Sequence, residues 1–402
     1  MKKYDKNIST ILGVNISLDN KSEILFKIGE FLKSKTGHKI YTPNPEICLL
    51  ANRDHKFKKL LNFADINIAD GFGLKVGAAI LGQKIPNRLT GVDLTWDILN
   101  IASQNGYRVM LLGGAGKVAK TAAKNIKQQL PNINIVGAGE GIEIKYQRGS
   151  IAYDINKNNK VLDFINKAQA DIVFVAFDAA KQVYWIDQNL LKLKTVKLAM
   201  GVGGTFDFMA AKVKRSPSWL RKIGLEWLFR LLKQPKRIKR ILNAVIVFPL
   251  ICLKWRIGWL CKYRPNLLNI IYNKNNEILL MLNPRFNYWT LPQGGVEKNE
   301  DLRSAGKREL NEELGLPEDK IELIKILPDE YKYDWPDWAR LKQPYKGQKQ
   351  KFAQWRFMGE ENDFKFRRSD EAQKIQWVKK ENIFKVLAKV RQETIKKIFD
   401  KI

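Results

Sequence analysis

The chain has 402 residues, a formal net charge of +30 and an apolar fraction of 45%. That length calls for two domains or more, and the apolar fraction is enough to build their cores. Three cysteines (Cys48, Cys252, Cys261) have no metal-ligand spacing and do not make a disulfide framework, and the charge favours anionic partners: nucleic acid, nucleotides or acidic lipid.

Strand-like and helix-like segments alternate over the first 240 residues. Strands are expected at 39–42, 108–112, 133–137, 171–176 and 197–200, and helices at 49–61 and 117–129. This alternation predicts an α/β domain with a mostly parallel sheet and helices on both faces. Ligands of such sheets sit outside the C-terminal strand ends. Three loops fall at those ends: TPNPE at 42–46, GGAG at 113–116 and GVGGT at 201–205. The two glycine loops each follow a strand and open a helix, where backbone N–H groups suit a diphosphate. Glycines at such turns equally serve turn geometry. The polar, weakly patterned stretch 142–159 is expected to be an insertion or a mobile loop.

With ADGFG at 69–73, RLTGVDL at 88–94, LLGGAG at 111–116 and the long run from Met200 to Arg237, these motifs resemble the TagA/CpsF/WecG family of bacterial N-acetylmannosamine transferases. The resemblance covers about 8–255 and implies a Rossmann-like glycosyltransferase domain over 1–258. It implies metal-independent, inverting transfer from a UDP-sugar to polyprenyl-diphosphate-linked N-acetylglucosamine at the inner face of the membrane. Asp70 is then the general base, needed because a sugar hydroxyl is a poor nucleophile until deprotonated. Thr42 and Asn44 share its pocket, with Arg88, Gly113, Gly114, Lys181, Gln182, Gly203 and Gly204 as substrate contacts. The segment 177–185 keeps Lys181, Gln182 and Trp185 of the family pattern. It carries Asp178, Ala180 and Val183 where the family has Gly, Pro and Glu, a departure that bears on donor identity and on activity itself. A catalytically silent membrane or RNA tether is the rival reading.

Residues 212–240 hold eleven Lys/Arg against the single acid Glu226. Trp219, Leu220, Ile223, Trp227, Leu228 and Leu231 interleave at near-helical spacing. A basic amphipathic helix of this kind suits an anionic membrane surface, and 212–258 is expected to lie there. The apolar run 241–253, broken by Asn243 and Pro249, is too short to span a bilayer. The start, MKKYDKNISTILGV, lacks the apolar region of a signal peptide, so a cytoplasmic, membrane-peripheral location is expected.

Residues 294–316 place Gly294, Glu300, Arg308, Glu309, Leu310, Glu312, Glu313, Gly315 and Leu316 at the spacing G-x5-E-x7-R-E-U-x-E-E-x-G-U, with U apolar. Glu309, Glu312 and Glu313 fall at i, i+3 and i+4, so a helix puts all three carboxylates on one face. Clustered carboxylates repel unless a cation sits among them, and hard oxygen ligands point to Mg²⁺ or Mn²⁺. Gly315 and Pro317 stop the helix. The pattern is the Nudix box, and YRPN at 263–266, WTLPQGG at 289–295 and YKGQKQKF at 345–352 resemble bacterial RNA pyrophosphohydrolases and plant-type diadenosine polyphosphate hydrolases. The resemblance implies an α/β/α Nudix sandwich over 259–402 that converts 5′-triphosphorylated RNA to the 5′-monophosphate. Dinucleoside polyphosphates and nucleotide sugars remain open as substrates. Glu309, Glu312, Glu313 and Glu371 are the implied metal ligands, with Glu312, Glu313 and Glu371 catalytic. Arg264, Gly294, Gly295, Gln348 and Lys349 are implied substrate contacts, and Arg308 is expected to orient the box through Glu300.

Overall fold

Of the 402 residues, the computed structural model describes 7–401 apart from 88, 214, 218, 221–225, 234, 236–237, 284–286, 367–371, 373, 389–391 and 393–394. Two compact units result: Met1–Arg256 with Leu341–Gln343, and Ile257–Arg340 with Pro344–Ile402.

In the first unit, β1 (Ile8–Ile11) and β2 (Val14–Ser17) form an antiparallel hairpin. Helix α1 (Lys21–Lys33) follows, opened by a capping box between Asn20 and Glu23. Then come β3 (His38–Tyr41), α2 (Pro45–Arg53), α3 (His55–Asn62), β4 (Ile66–Asn67), α4 (Phe72–Ile80) and α5 (Gly91–Asn105). Next are β5 (Arg108–Gly113), α6 (Val118–Gln129), β6 (Asn134–Gly139), β7 (Ile144–Gln147), β8 (Ser150–Tyr153) and α7 (Ile155–Lys167). The run closes with β9 (Ile172–Ala176), α8 (Ala179–Asn189), β10 (Leu198–Gly201) and the short α9 (Thr205–Met209).

The main sheet has the order β4-β3-β10-β9-β5-β6, and every pairing in it is parallel. Helices cover both faces, so central strands read as unbroken apolar runs: all of Ile172–Ala176 is buried. Val109, Leu111, Phe174 and Met200 meet α1, α5 and α6 in one core.

Two expectations change. The helix predicted over 49–61 is two helices, because Asp54 caps α3. Its carboxylate accepts from Phe57 N–H at 3.0 Å, and this side-chain bond replaces helix propagation. The stretch 142–159 is not a loose insertion but the β7–β8 hairpin running into α7. Tyr146 O–H and Gly149 N–H donate to Asp54 at 2.7 and 2.8 Å, anchoring the hairpin from 92 and 95 residues away.

A third expectation, that no segment is long enough to span a bilayer, is corrected. The helix Ile238–Cys261 has 24 residues and a mean hydropathy of 1.7 in its most apolar stretch, enough by length and composition to cross a membrane. It runs through Asn243 and Pro249 because residues Asn243–Val247 form a π-helical turn. The wider turn shifts the hydrogen-bond ladder just before the proline, which has no N–H to contribute. One side of this helix is packed within the unit. A Cβ on Gly77 would lie 2.5 Å from the Phe248 ring and 3.2 Å from Cys252 Sγ. Only glycine lets α4 approach so closely.

The second unit is a mixed sheet of order β13-β12-β11-β16-β15, with β14 on β11 and β17 on β12. Its strands are β11 (Tyr263–Tyr272), β12 (Ile278–Asn283), β13 (Tyr288–Thr290), β14 (Gln293–Gly295), β15 (Ile321–Asp334), β16 (Gly347–Phe357) and β17 (Ile375–Val378). Alternation splits the apolar residues between two cores. Leu267, Ile271, Ala353 and Trp355 pack beneath the helix Leu302–Leu314 through Ala305, Leu310 and Leu314. On the other face, Leu268, Ile270 and Phe352 pack with Ile383, Leu387, Ile395 and Ile398. The result is the α/β/α sandwich.

Candidate active sites

A cavity of about 570 Å³ opens at the C-terminal ends of β3, β4, β9 and β10, where a parallel sheet presents its loops. Thr42, Asn44, Asp70, Gln182, Gly203 and Gly204 all line it. Asn44 caps α2, accepting from Ile47 N–H at 3.0 Å, so its amide nitrogen is left for a ligand. Asp70 N–H donates to Pro43 O at 2.9 Å, which joins the two loops. Gln182 is buried, and its side-chain oxygen accepts from Gly203 N–H at 3.0 Å. That bond fixes the GVGGT loop from α8, so Gln182 shapes the wall.

Other expected contacts are not brought together here. Gly113, Gly114 and Lys181 do not line the cavity. Gly113 is glycine because its φ is +108° and a Cβ would sit 2.5 Å from Ala176 O. Gly114 N–H already donates to Ala176 O at 3.0 Å, so turn geometry explains this pair. Arg88 lies outside the described residues.

Two ion pairs in the wall have no local sequence signal. Arg215 grips Asp93 with bonds of 2.7 and 2.9 Å and donates to Thr90 Oγ1 at 3.1 Å. Arg240, on the helix Ile238–Cys261, donates to both Glu46 carboxylate oxygens at 2.8–3.0 Å. The partners are 122 and 194 residues apart, which is why spacing alone misses them. The bonds to Glu46 strengthen the hold of Arg240 on its proton, and the nearby Asp178 adds to this. Asp178 lines the cavity and caps α8 through Ala179 N–H at 3.1 Å. The departure from the expected loop pattern thus places a carboxylate in the cavity wall.

In the second unit, Asp301 caps the helix Leu302–Leu314 and Gly315 ends it in the left-handed region at φ 68°. Arg308 makes the expected pair with Glu300, at 2.8 and 2.9 Å, and also donates to Gly295 O and to Glu309, each at 2.8 Å. These bonds pull the Glu300 carboxyl below its ordinary range. Burial pushes Glu309 the other way, and Glu312 adds to the rise, against Arg308 and Arg264. Gly294 has no room for a side chain, because a Cβ would overlap the Glu309 carboxylate; at Gly295 it would strike Arg264. Glu313 accepts from Gln293 N–H at 3.2 Å.

The three glutamates share a helix face, yet among the described residues no three His, Cys, Asp or Glu side chains converge on one point. The Arg308 guanidinium lies between two of them, 2.8 Å from Glu309 and 3.7 Å from Glu312. A cation thus already occupies the gap, and the donor chemistry fits a hard divalent ion in its place. Glu371 lies outside the described residues. Lys349 is paired with Glu330 at 2.6 Å, and buried Gln348 accepts from Tyr333 O–H.

Residues 9–261 match the model of the glycosyl transferase WecG/TagA/CpsF family. The chain belongs to that family. Residues 262–401 match the NUDIX domain model, so the protein is an enzyme that fuses a WecG/TagA/CpsF glycosyltransferase to a Nudix hydrolase. The transferase half is 30% identical over 238 residues to the N-acetylglucosaminyldiphosphoundecaprenol N-acetyl-beta-D-mannosaminyltransferase of Bacillus subtilis, covering 59% of this chain and 87% of the relative. The enzyme of the same name from Staphylococcus aureus is also 30% identical over 238 residues, with 59% and 89% covered. A C. elegans Ap4A hydrolase structure aligns with 34% of this chain and 96% of its own, at 20% identity and a TM-score of 0.27.

Proposed function

We propose that the transferase half moves N-acetylmannosamine from UDP to polyprenyl-diphosphate-linked N-acetylglucosamine. The single observation that carries this reading is the cavity at the strand ends, which gathers Thr42, Asn44, Asp70 and Gln182 from two loops and a helix. Asp70 takes the proton of the acceptor hydroxyl as that oxygen attacks the sugar. Asn44 and the GVGGT loop hold the donor, and no metal is needed. Arg215 and Arg240 are the cations in reach of a diphosphate, each releasing a carboxylate to bind it.

The acceptor is lipid-borne, so the cavity must open at a membrane surface. The helix Ile238–Cys261 supports this. Ile241, Ala244, Val245 and Pro249 line the cavity, while Leu242, Ile246, Leu250, Leu253 and Ile257 are exposed. With Arg240 bonded to Glu46 and Phe248 packed on Gly77, the helix lies along its unit, which favours a peripheral position over a span.

The Nudix half, in this reading, hydrolyses 5′-triphosphorylated RNA with Mg²⁺. When bound, the metal polarises the diphosphate and lowers the pKa of the attacking water. Glu309, Glu312 and Glu313 hold it, and Arg308 keeps the Gly295 loop in place beside them.

The test of the transferase is Asp70→Asn with UDP-N-acetylmannosamine and a lipid-diphosphate N-acetylglucosamine analogue. Transfer falls by about 10²–10⁴-fold, the usual worth of a general base, while donor binding stays within about twofold. Normal transfer by Asp70→Asn puts the base elsewhere. Absence of transfer by the wild type favours a silent half, with Asp178 as the first suspect.

A further inference from the structure

The Nudix unit carries a second cavity, of about 630 Å³, far from the box. It is built where β15, β16, the turn after β11 and the chain's last residues meet. Lys325, Arg356, Lys379, Lys380 and Lys401 line it, against the acids Glu381 and Asp400. These cations come from separate elements and converge on one concavity, unlike the lysines of a solvated helix face. Three of the five are spoken for: Lys401 pairs with Asp329 at 2.6 Å, Arg356 donates to Asn273 O and Asn276 Oδ1, and Lys380 lies over the Phe399 ring at 5.1 Å. Lys325 and Lys379 are exposed and have no ion pair among the described residues.

Strand β11 links this cavity to the box. Its residues Asn266–Leu268 pair with the Gln293–Gly295 loop, and Tyr272 at its other end lines the cavity. Six residues at ~3.3 Å each set the two about 20 Å apart. Arg264 pairs with Gln348 and Tyr272 with Arg356 across β11 and β16. By strand alternation these four share the sheet face of Leu268, Ile270 and Phe352, opposite the helix Leu302–Leu314, so the cavity lies on the side of the expected contacts Arg264 and Gln348.

We propose that this cavity is a phosphate-binding exosite for single-stranded RNA whose 5′ end occupies the Nudix box. The inference rests on RNA being the Nudix substrate and goes beyond it: the enzyme grips the chain downstream of the end it trims. A single nucleotide or nucleotide sugar seated in the box is too short to reach across. A polynucleotide offers a phosphate at every step and suits a cationic cavity that needs no base readout.

The test uses the full-length protein and the double variant Lys325→Gln/Lys379→Gln. Both side chains are exposed and neither belongs to the box. Hydrolysis is compared for a 5′-triphosphorylated dinucleotide and a longer single-stranded RNA of the same start, over a range of salt. Binding of a 5′-hydroxyl RNA, which offers the box no triphosphate, is followed by fluorescence anisotropy. For the wild type, the long RNA is the better substrate and its advantage fades with salt. In the variant, the slope of log affinity against log salt falls by about 1.4, two lost contacts at ~0.7 each, and the dinucleotide is cut as before. An undiminished preference for long RNA overturns the exosite, as does 5′-hydroxyl RNA binding equal to wild type. Loss of anionic-vesicle binding with RNA binding intact overturns it too. If the wild type cuts no RNA yet the variant binds 5′-hydroxyl RNA less well, the exosite stands and the RNA reading of the box fails.

Discussion

Glu309 is a metal ligand in the proposed Nudix reading. Burial and Glu312 raise its pKa, while Arg308 bonds to its charged form. A divalent ion must displace both a proton and the guanidinium contact. Metal affinity therefore rises with pH through the raised Glu309 value and then levels off, which isothermal titration of Mg²⁺ into the protein will read. Glu312→Gln lowers hydrolysis by more than about a hundredfold and leaves the metal-free melting temperature level or higher, because one repelling charge is gone. In the first unit, the buried Asp171 is held by the half-buried Arg108 and Lys197. Burial alone would raise its pKa, but the Arg108 bonds and Lys197 bring it below the ordinary value. A depressed acid stabilises fully above the unfolded pKa of ~3.9 and loses that stabilisation as pH falls through the folded value. Asp171→Asn is thus less stable than wild type at neutral pH by about 1–3 kcal/mol. The gap closes below about pH 4 in urea unfolding at stepped pH.

At the scale of elements, the helix Ile238–Cys261 does two jobs with two faces. Its inner face completes the cavity and packs on α4; its outer face is an apolar stripe beside a basic segment. Ile246→Asp with Leu250→Asp weakens sedimentation with anionic vesicles by at least about tenfold, while hydrolysis of a short soluble Nudix substrate is unchanged. Residual vesicle binding at the wild-type level would place the membrane contact elsewhere. The β7–β8 hairpin is the other informative element. It reaches α8 through Asp54, which also accepts from Tyr184 O–H at 3.3 Å. Because α8 carries Gln182, an apparent insertion braces the wall of the transferase cavity.

The whole molecule combines two enzymes on one strongly cationic chain. Each has its own core and its own set of carboxylates, so the activities are separable. Asp70→Asn leaves Nudix turnover within about twofold of wild type, and Glu312→Gln does the same for sugar transfer, since neither residue touches the other's substrate. Parallel assays of both variants on both substrates check this. A loss of both activities in either variant would reveal coupling between the halves.

Local order was legible in the sequence wherever the cause is local. The alternating apolar segments specified the parallel sheet, and the spacing of Glu309, Glu312 and Glu313 put three carboxylates on one helix face. The loops around Thr42, Asp70 and Gly203 fell at strand ends because chain order fixes that in a βα fold. Asp54 went unread because its donors come from Tyr146, Gly149 and Tyr184, far along the chain. The length of the helix Ile238–Cys261 was hidden by Pro249, which reads as a break until a π turn absorbs it. Tertiary structure alone decided which charges meet. It brought Arg215 to Asp93 and Arg240 to Glu46, left Gly113 and Gly114 out of the cavity lining, and gathered Lys325, Lys379, Lys380 and Lys401 into one concavity. Periodicity encodes which face a residue occupies, whereas ion pairs and cavities depend on which faces the folded chain brings together.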